Sequence, residues 1–248
     1  MKSRLNFLVS TSLGAIMFLV VNGATTKIGM GTRVQLLQRE VSPGLACLPD
    51  SDISTAVHEL STAGDYAELN RAKRLLLGNA DRSPKCKKQV AAALMTAMDK
   101  PNLDLVRDEP SFRLWFYGSD LLGDLKALEA LDLLLSHSEL NDGTSFPLNH
   151  HPALRGVIKM GPIALPRLGA ELRHNPDPKS RRYAVFCIAQ IGGASAKRML
   201  KETEPFEPDG CNQEFIRSSI SALANKRLPN HITSEDRPRW YTAFLCRG

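Results

Sequence analysis

Apolar residues in the middle of the chain recur with the period of an α-helix, and the runs come in pairs divided by glycine. Between Asp177 and Leu200, the residues Ala184, Cys187, Ile188 and Ile191 fall at i, i+3, i+4 and i+7. That spacing lines one helical face with apolar side chains. Gly192 and Gly193 follow at once. Glycine is favoured just past a helix because a left-handed backbone costs it no Cβ clash. A second run carrying Ala194, Met199 and Leu200 predicts the partner helix.

The same unit reads twice upstream. Ser111 to Leu122 is predicted as a helix holding Trp115, Phe116 and Tyr117, and after Gly123 the run Leu125 to Leu135 puts Leu128, Leu131 and Leu135 on one face. Leu154, Val157 and Ile158 form the next stripe, Gly161-Pro162 breaks it, and Leu165, Leu168 and Leu172 continue on a partner helix. Gly123 to Gly161 is 38 positions and Gly161 to Gly192 is 31, within the range of helical repeat proteins. Arg113 and Arg182 each stand ten positions before their glycine, while His151 holds that place in the middle unit. Trp115, Tyr117 and Cys187 are expected in the core, as large aromatics or a small apolar residue on a stripe.

Flanking segments are less regular. Short helices are predicted over 54–60 and 66–77, the second stopped by Gly78, and a longer one opens at Ser83-Pro84 with Val90, Ala93, Leu94, Ala97 and Met98 inward until Pro101. Residues 140–152 read as a loop. Ile216, Ser219, Ile220 and Leu223 make a degraded copy of the stripe, and Arg239 to Cys246, with Trp240, Tyr241 and Phe244, is expected to pack back as a cap. Residues 25–50, punctuated by Gly29, Gly31, Pro43, Gly44 and Pro49, form an extended lead-in. The expected fold is all-α, an α-solenoid of antiparallel helix hairpins over residues 51–248.

Arg182 with the helix after it, Ile191-Gly192-Gly193, then Ala196 and Met199, preceded by Asn175-Pro176-Asp177 at the turn between units, resembles the HEAT repeat family. The likeness is to its short variety, also found in phycobilisome-lyase-like proteins. It covers about residues 84–225 and is clearest over 111–204. The resemblance implies a right-handed stack of hairpins in which Asp177 and Arg182 belong to a polar ladder between repeats, although Arg113 has no comparably placed Asp. It also implies that second helices line the concave side. They would present Lys126 and Glu129, Arg167 and Glu171, and Lys197 and Lys201 as candidate binding residues, with Gly123, Gly161 and Gly192 as structural breaks.

Composition changes the picture mainly in localisation. Hydrophobic residues are 43% and charged residues 23%, in the globular range. Lys2 and Arg4 precede an apolar run from Leu5 to Val21, and Asn22-Gly23-Ala24 follows, the order of a secretory signal peptide. Residues 1–24 are therefore expected to direct export to a periplasmic or extracellular compartment, with an uncleaved membrane anchor as the alternative. Cleavage would remove Lys2 and Arg4 and lower the net charge from +6 to +4. So small a surplus, with no basic cluster interleaved with aromatics, does not point to nucleic acid.

The five cysteines contain no CxxC pair, which argues against a zinc or thioredoxin-like centre. An oxidising compartment allows one or two disulfides, and setting Cys187 aside as a core residue leaves Cys47, Cys86, Cys211 and Cys246 as candidates, with Cys47 to Cys86 and Cys211 to Cys246 one pairing among those the spacing leaves open. His150-His151 near His137 lack metal-site spacing, and the lone His58-Glu59 pair falls short of the several such pairs in di-iron HEAT-like enzymes. No nucleophile elbow, phosphate loop or catalytic-cysteine signature occurs. The expectation is a non-catalytic scaffold for another protein or peptide, without a cofactor. The alternatives are a chromophore-lyase-like or other HEAT-related enzyme and a membrane-anchored envelope protein.

Overall fold

Three helices begin at a proline or one residue before it, behind a short polar residue that caps the first turn. Ser83 accepts from the Cys86 amide at 3.1 Å ahead of Pro84, Asp108 accepts from Ser111 ahead of Pro110, and Asp177 accepts from Ser180 at 2.7 Å ahead of Pro178. Proline lacks the amide hydrogen that a first turn leaves unpaired, so it starts a helix at no cost. The computed structural model describes residues 46–100, 108–140 and 151–224, and all regular structure among them is helical. The helices are α1 (Asp50–Thr62), α2 (Tyr66–Ala80), α3 (Pro84–Met98), α4 (Glu109–Asp124), α5 (Leu131–Ser136), α6 (Pro152–Met160), α7 (Leu165–His174), α8 (Pro178–Ile191), α9 (Gly193–Thr203) and α10 (Gly210–Ala224). Short 3-10 turns occupy Leu128–Ala130, Gly161–Ala164 and Glu204–Phe206. The expected signal segment 1–24, most of the lead-in, most of the 140–152 loop and the expected cap Arg239 to Cys246 lie outside the described residues. Among the described residues no helix is long and apolar enough to cross a membrane.

Neighbouring helices pack in a regular order. α1 touches α4, α4 touches α6, α6 touches α8 and α8 touches α10, and α7 touches α9. One continuous core runs through them, including Leu60, Leu94, Trp115, Leu122, Leu154, Leu168, Phe186, Leu200 and Phe215. Trp115 and Cys187 are fully buried as expected, and Tyr117 is half-buried with Lys73 over its ring.

Two predicted breaks need correction. Gly78 does not stop α2, which continues to Ala80. Gly123 lies inside α4, not between two helices, and serves a close crossing. A Cβ built there would stand 2.6 Å from Cβ of Lys159 and 2.7 Å from the carbonyl oxygen of Gly156. Only glycine leaves room for α6 to approach so closely. Leu125 to Leu135 is accordingly not one helix but a turn, a 3-10 segment and the short α5.

Residues 46–49 close the lead-in against the helices. Cys47 is disulfide-bonded to Cys86 with a Cα separation of 5.2 Å. The Leu48 amide donates to the buried Asn79 at 2.9 Å, and Arg82 donates to the Ala46 carbonyl at 2.9 Å. Cys211 is also disulfide-bonded, Cys187 is a free buried thiol, and Cys246 lies outside the described residues. Burial pushes the Cys187 thiol far up from its ordinary value, which leaves it inert.

Candidate binding edge

The end of α4 determines the most distinctive exposed surface. Lys126 adopts a left-handed backbone, φ 51°, where a side chain other than glycine is uncommon. Its amide donates to the Gly123 carbonyl at 3.0 Å, and the Ala127 amide donates to Leu122 at 3.1 Å. These are the two hydrogen bonds of a Schellman stop, with the accompanying apolar contact supplied by buried Ala127 and Leu122. The turn throws the Lys126 ammonium towards the end of α6, where it donates to the Met160 carbonyl at 3.1 Å. A cation there meets the negative end of the helix dipole.

The next turn is built on glycine. Gly161 has φ 74° and ψ −150°, and Gly192 at the end of α8 has φ 70° and ψ −164°. That combination is open essentially only to glycine, so these two predicted breaks stand where the stripes place them. Each of the two 3-10 segments that follow α4 and α6 carries a large aliphatic side chain facing water. Leu128 is 47% exposed and Ile163 is 42% exposed. They flank the Lys126–Met160 hydrogen bond on consecutive turns. The expectation that Leu128 shares a core face with Leu131 and Leu135 fails because no continuous helix joins them. Ile163 carries no periodic signal, and only its position after Gly161-Pro162 marks it as a turn residue.

The six sequence-predicted binding residues do not form one patch of free charge. Lys126 is engaged by α6. Arg167 of α7 donates to Asp132 of α5 at 2.8 Å and to Glu171 at 2.8 Å, and Glu171 also accepts from Asn175. The hydrogen bonds that Arg167 donates to Asp132 and Glu171 outweigh desolvation and raise its pKa. Glu129 and Lys201 are exposed and Lys197 is half-buried. Lys197 and Lys201 lie on α9, which approaches α7 so closely at Gly169 that an added Cβ would meet the Met199 sulfur at 2.8 Å. Of the six, Lys126 and Glu129 belong to the turn edge.

The polar contacts made by α4, α6 and α8 differ from the expected ladder. Asp177 caps its own helix through Lys179 and Ser180 and does not bond Arg182. Hydrogen bonding from Ser180 is the main reason its carboxyl is held below the ordinary range. Arg182 reaches forward to Asn212 of α10 at 2.8 Å, whereas Arg113 reaches back to the Ala63 carbonyl beyond α1 at 2.8 Å. Between α4 and α6 the bridge is Asp120 with Arg155 at 2.8 Å and Lys159 at 2.8 Å.

Among the described residues the deepest ion pair is Arg181 with Glu207, whose side chains are 8% and 1% exposed. Arg181 donates to Glu207 at 2.7 Å through Nη2 and to the carbonyls of Asn175 and Pro176 at 2.9 and 3.0 Å through Nη1. Glu207 also accepts from the Asp209 amide at 3.1 Å. Sequence spacing points to the neighbouring Arg182, which like Arg113 stands ten residues before a glycine, whereas Arg181 does not. The acidic turn Glu204 to Asp209 was the available signal for Arg181.

Other features are structural. His137 stacks on Trp115 with centroids 4.9 Å apart and hydrogen-bonds the Leu133 carbonyl, and His151 lies 5.8 Å from the Tyr183 ring. His150 is outside the described residues. No three His, Cys, Asp or Glu side chains among the described residues are grouped as a metal site requires. A groove of about 440 Å³ between α1 and α3 has Ile53, Val57 and Leu114 as its floor and His58, Gln89 and Lys100 on its rim. Comparison with protein-family models, with curated proteins and with solved structures returns no match.

Proposed function

We propose that this chain is an exported, HEAT-like repeat protein that holds another protein or peptide along the edge formed by its hairpin turns, as a non-catalytic scaffold. The observation that carries this reading is the pairing of Leu128 and Ile163 on consecutive turns joined by the Lys126–Met160 hydrogen bond. Burying an aliphatic side chain of this size is worth about 1.5–3 kcal/mol. Two of them on turns tied by one hydrogen bond, with Glu129 next to Leu128 in the chain, suit an apolar anchor with a polar rim on a partner.

The succession of contacts α4 to α6 to α8 to α10, with α7 on α9, supports the repeat reading, since stacked units bury their faces on nearest neighbours. Export is supported by the signal-like N-terminus and by the Cys47–Cys86 bond, because disulfides persist in oxidising compartments. The test is the double substitution Leu128→Asp and Ile163→Asp. It is expected to leave thermal stability within a few degrees of wild type and to abolish co-purification of the native partner. Unchanged co-purification contradicts the reading.

A further inference from the structure

The positive surplus of this chain sits in one hairpin. Residues 71–88 hold seven Lys or Arg and one Asp, a net +6 that equals the surplus of all 248 residues, so the remaining positions carry the two signs in balance. This stretch spans the second half of α2, the three-residue turn Asp81 to Ser83 and the start of α3, and the two helices pack against each other.

Five of the seven charges gather at the turn. Arg74 lies seven residues before Asp81 and Lys88 five after Ser83, with Arg82, Lys85 and Lys87 between. Those offsets are about 10 and 8 Å of helix, within about one Debye length of the turn at physiological salt, so a partner meets the five as one field. Arg74, Lys85 and Lys88 are exposed, and Arg82 donates to the neutral Ala46 carbonyl, which leaves its charge uncompensated. Among the described residues none of the five has an ion-pair partner. The other two are engaged, Arg71 with Glu59 at 3.6 Å and Lys73 over the Tyr117 ring.

Stability does not account for this placement. The first turn of α3 holds no acidic residue, and Lys85, Lys87 and Lys88 crowd the positive end of the helix, where a cation is unfavourable. For an anion outside the fold, the helix dipole and the side chains act in the same direction. On the exposed side of α2, Ala67, Arg71, Arg74 and Gly78 follow at i, i+4, i+7 and i+11. Leu75, 37% exposed, and Tyr66, 77% exposed, stand on its two flanks. Unpaired cations beside an exposed aliphatic and an exposed aromatic are the combination that seats a helix on an anionic bilayer.

We propose that the α2–α3 hairpin docks this protein peripherally on membranes carrying anionic phospholipid, with the basic turn on the headgroups and Leu75 and Tyr66 at the apolar boundary. The inference rests neither on the turn edge after α4 and α6 nor on the fate of residues 1–24.

Flotation of the full chain with vesicles of phosphatidylcholine, alone or mixed with phosphatidylglycerol, tests it. Binding is expected to the mixed vesicles only, and to be lost at about 1 M salt, where the Debye length is about 3 Å. Arg74→Gln with Lys85→Gln and Lys88→Gln is expected to weaken it about a hundredfold, at roughly fivefold per side chain. Arg173→Gln with Arg198→Gln and Arg217→Gln removes the same charge from α7, α9 and α10 and is expected to cost no more than about fivefold. Leu75→Ser with Tyr66→Ser keeps every charge and is expected to weaken binding about tenfold. All eight side chains are exposed, so each variant is expected to fold. No binding to the mixed vesicles, equal binding to phosphatidylcholine alone, or equal losses in the two charge variants overturns the proposal. Full affinity in the Leu75 and Tyr66 variant also overturns it, and assigns the patch to a dissolved polyanion or an acidic protein.

Discussion

Gly123 of α4 and Gly156 of α6 lie against each other's backbones, with an added Cβ on Gly123 only 2.7 Å from the Gly156 oxygen and one on Gly156 only 2.6 Å from the Ser119 oxygen. A methyl group at either position must push two helices apart, because backbone atoms cannot turn aside as a flexible side chain can. Gly123→Ala is therefore expected to cost about 2–3 kcal/mol. Gly78 is an exposed glycine within α2 and has nothing within 4 Å of an added Cβ. Gly78→Ala is expected to gain about 0.5–1 kcal/mol from helix propensity alone. Urea unfolding of the two variants checks both signs at once.

These two glycines also show how far the sequence could be read. Periodicity located the helix runs because burial on one face leaves a 3.6-residue pattern, and the stripe around Cys187 and the breaks at Gly161 and Gly192 were visible for that reason. A glycine before a polar stretch looks alike whether it ends a helix or lets another helix approach. Gly123 was thus read as a break, and the true stop at Lys126 was missed because lysine carries no left-handed signal. Leu128 and Ile163 were illegible as surface residues for a related reason, since their exposure follows from the path of a turn rather than from any period. The Arg181–Glu207 pair joins positions 26 residues apart, so periodicity does not pair them, and only the acidic turn Glu204 to Asp209 hints at a partner.

Lys126 makes two opposed contributions that separate by substitution. Its left-handed backbone costs about 1 kcal/mol relative to glycine. Its ammonium on the Met160 carbonyl returns about 0.3–1 kcal/mol. Lys126→Gly removes both and is expected to be near neutral. Lys126→Ala keeps the strained backbone, loses the cation, and is expected to be the less stable of the two by denaturant midpoint.

The Arg181–Glu207 pair should behave as a buried, fully bonded ion pair. Removing one member leaves the other charge without its partner, so Glu207→Ala is expected to cost about 3–5 kcal/mol. Replacing both, as Arg181→Met with Glu207→Leu, should recover most of that loss, because no isolated charge remains. Arg182→Ala, which removes a more accessible contact to Asn212, is expected to cost only about 1 kcal/mol. Thermal unfolding of the variants separates the two arginines.

Asp120 predicts the pH dependence. Burial by itself raises its carboxyl, but hydrogen bonding to Lys159 and the charges of Arg155 and Lys159 outweigh it and hold the group below its ordinary value of 3.8. Since the folded value is depressed, its stabilisation is present above the unfolded value and is lost as pH falls through the folded one. Asp120→Asn is expected to be less stable than wild type by about 1.5–3 kcal/mol at pH 7. The gap should close below pH 3.8. A gap that persists unchanged at acid pH contradicts the assignment.

The turn edge is tested most directly by photo-crosslinking in the native compartment, with a benzophenone side chain placed in turn at Leu128, Ile163, Ser54 and Tyr66. Ser54 lines the groove between α1 and α3, and Tyr66 is 77% exposed at the start of α2, so both report on parts of the surface other than the turns after α4 and α6. The account predicts one discrete adduct of the same mass at Leu128 and Ile163 and none at the other two. Adducts of equal yield at all four positions, or an adduct at Ser54 alone, would contradict it.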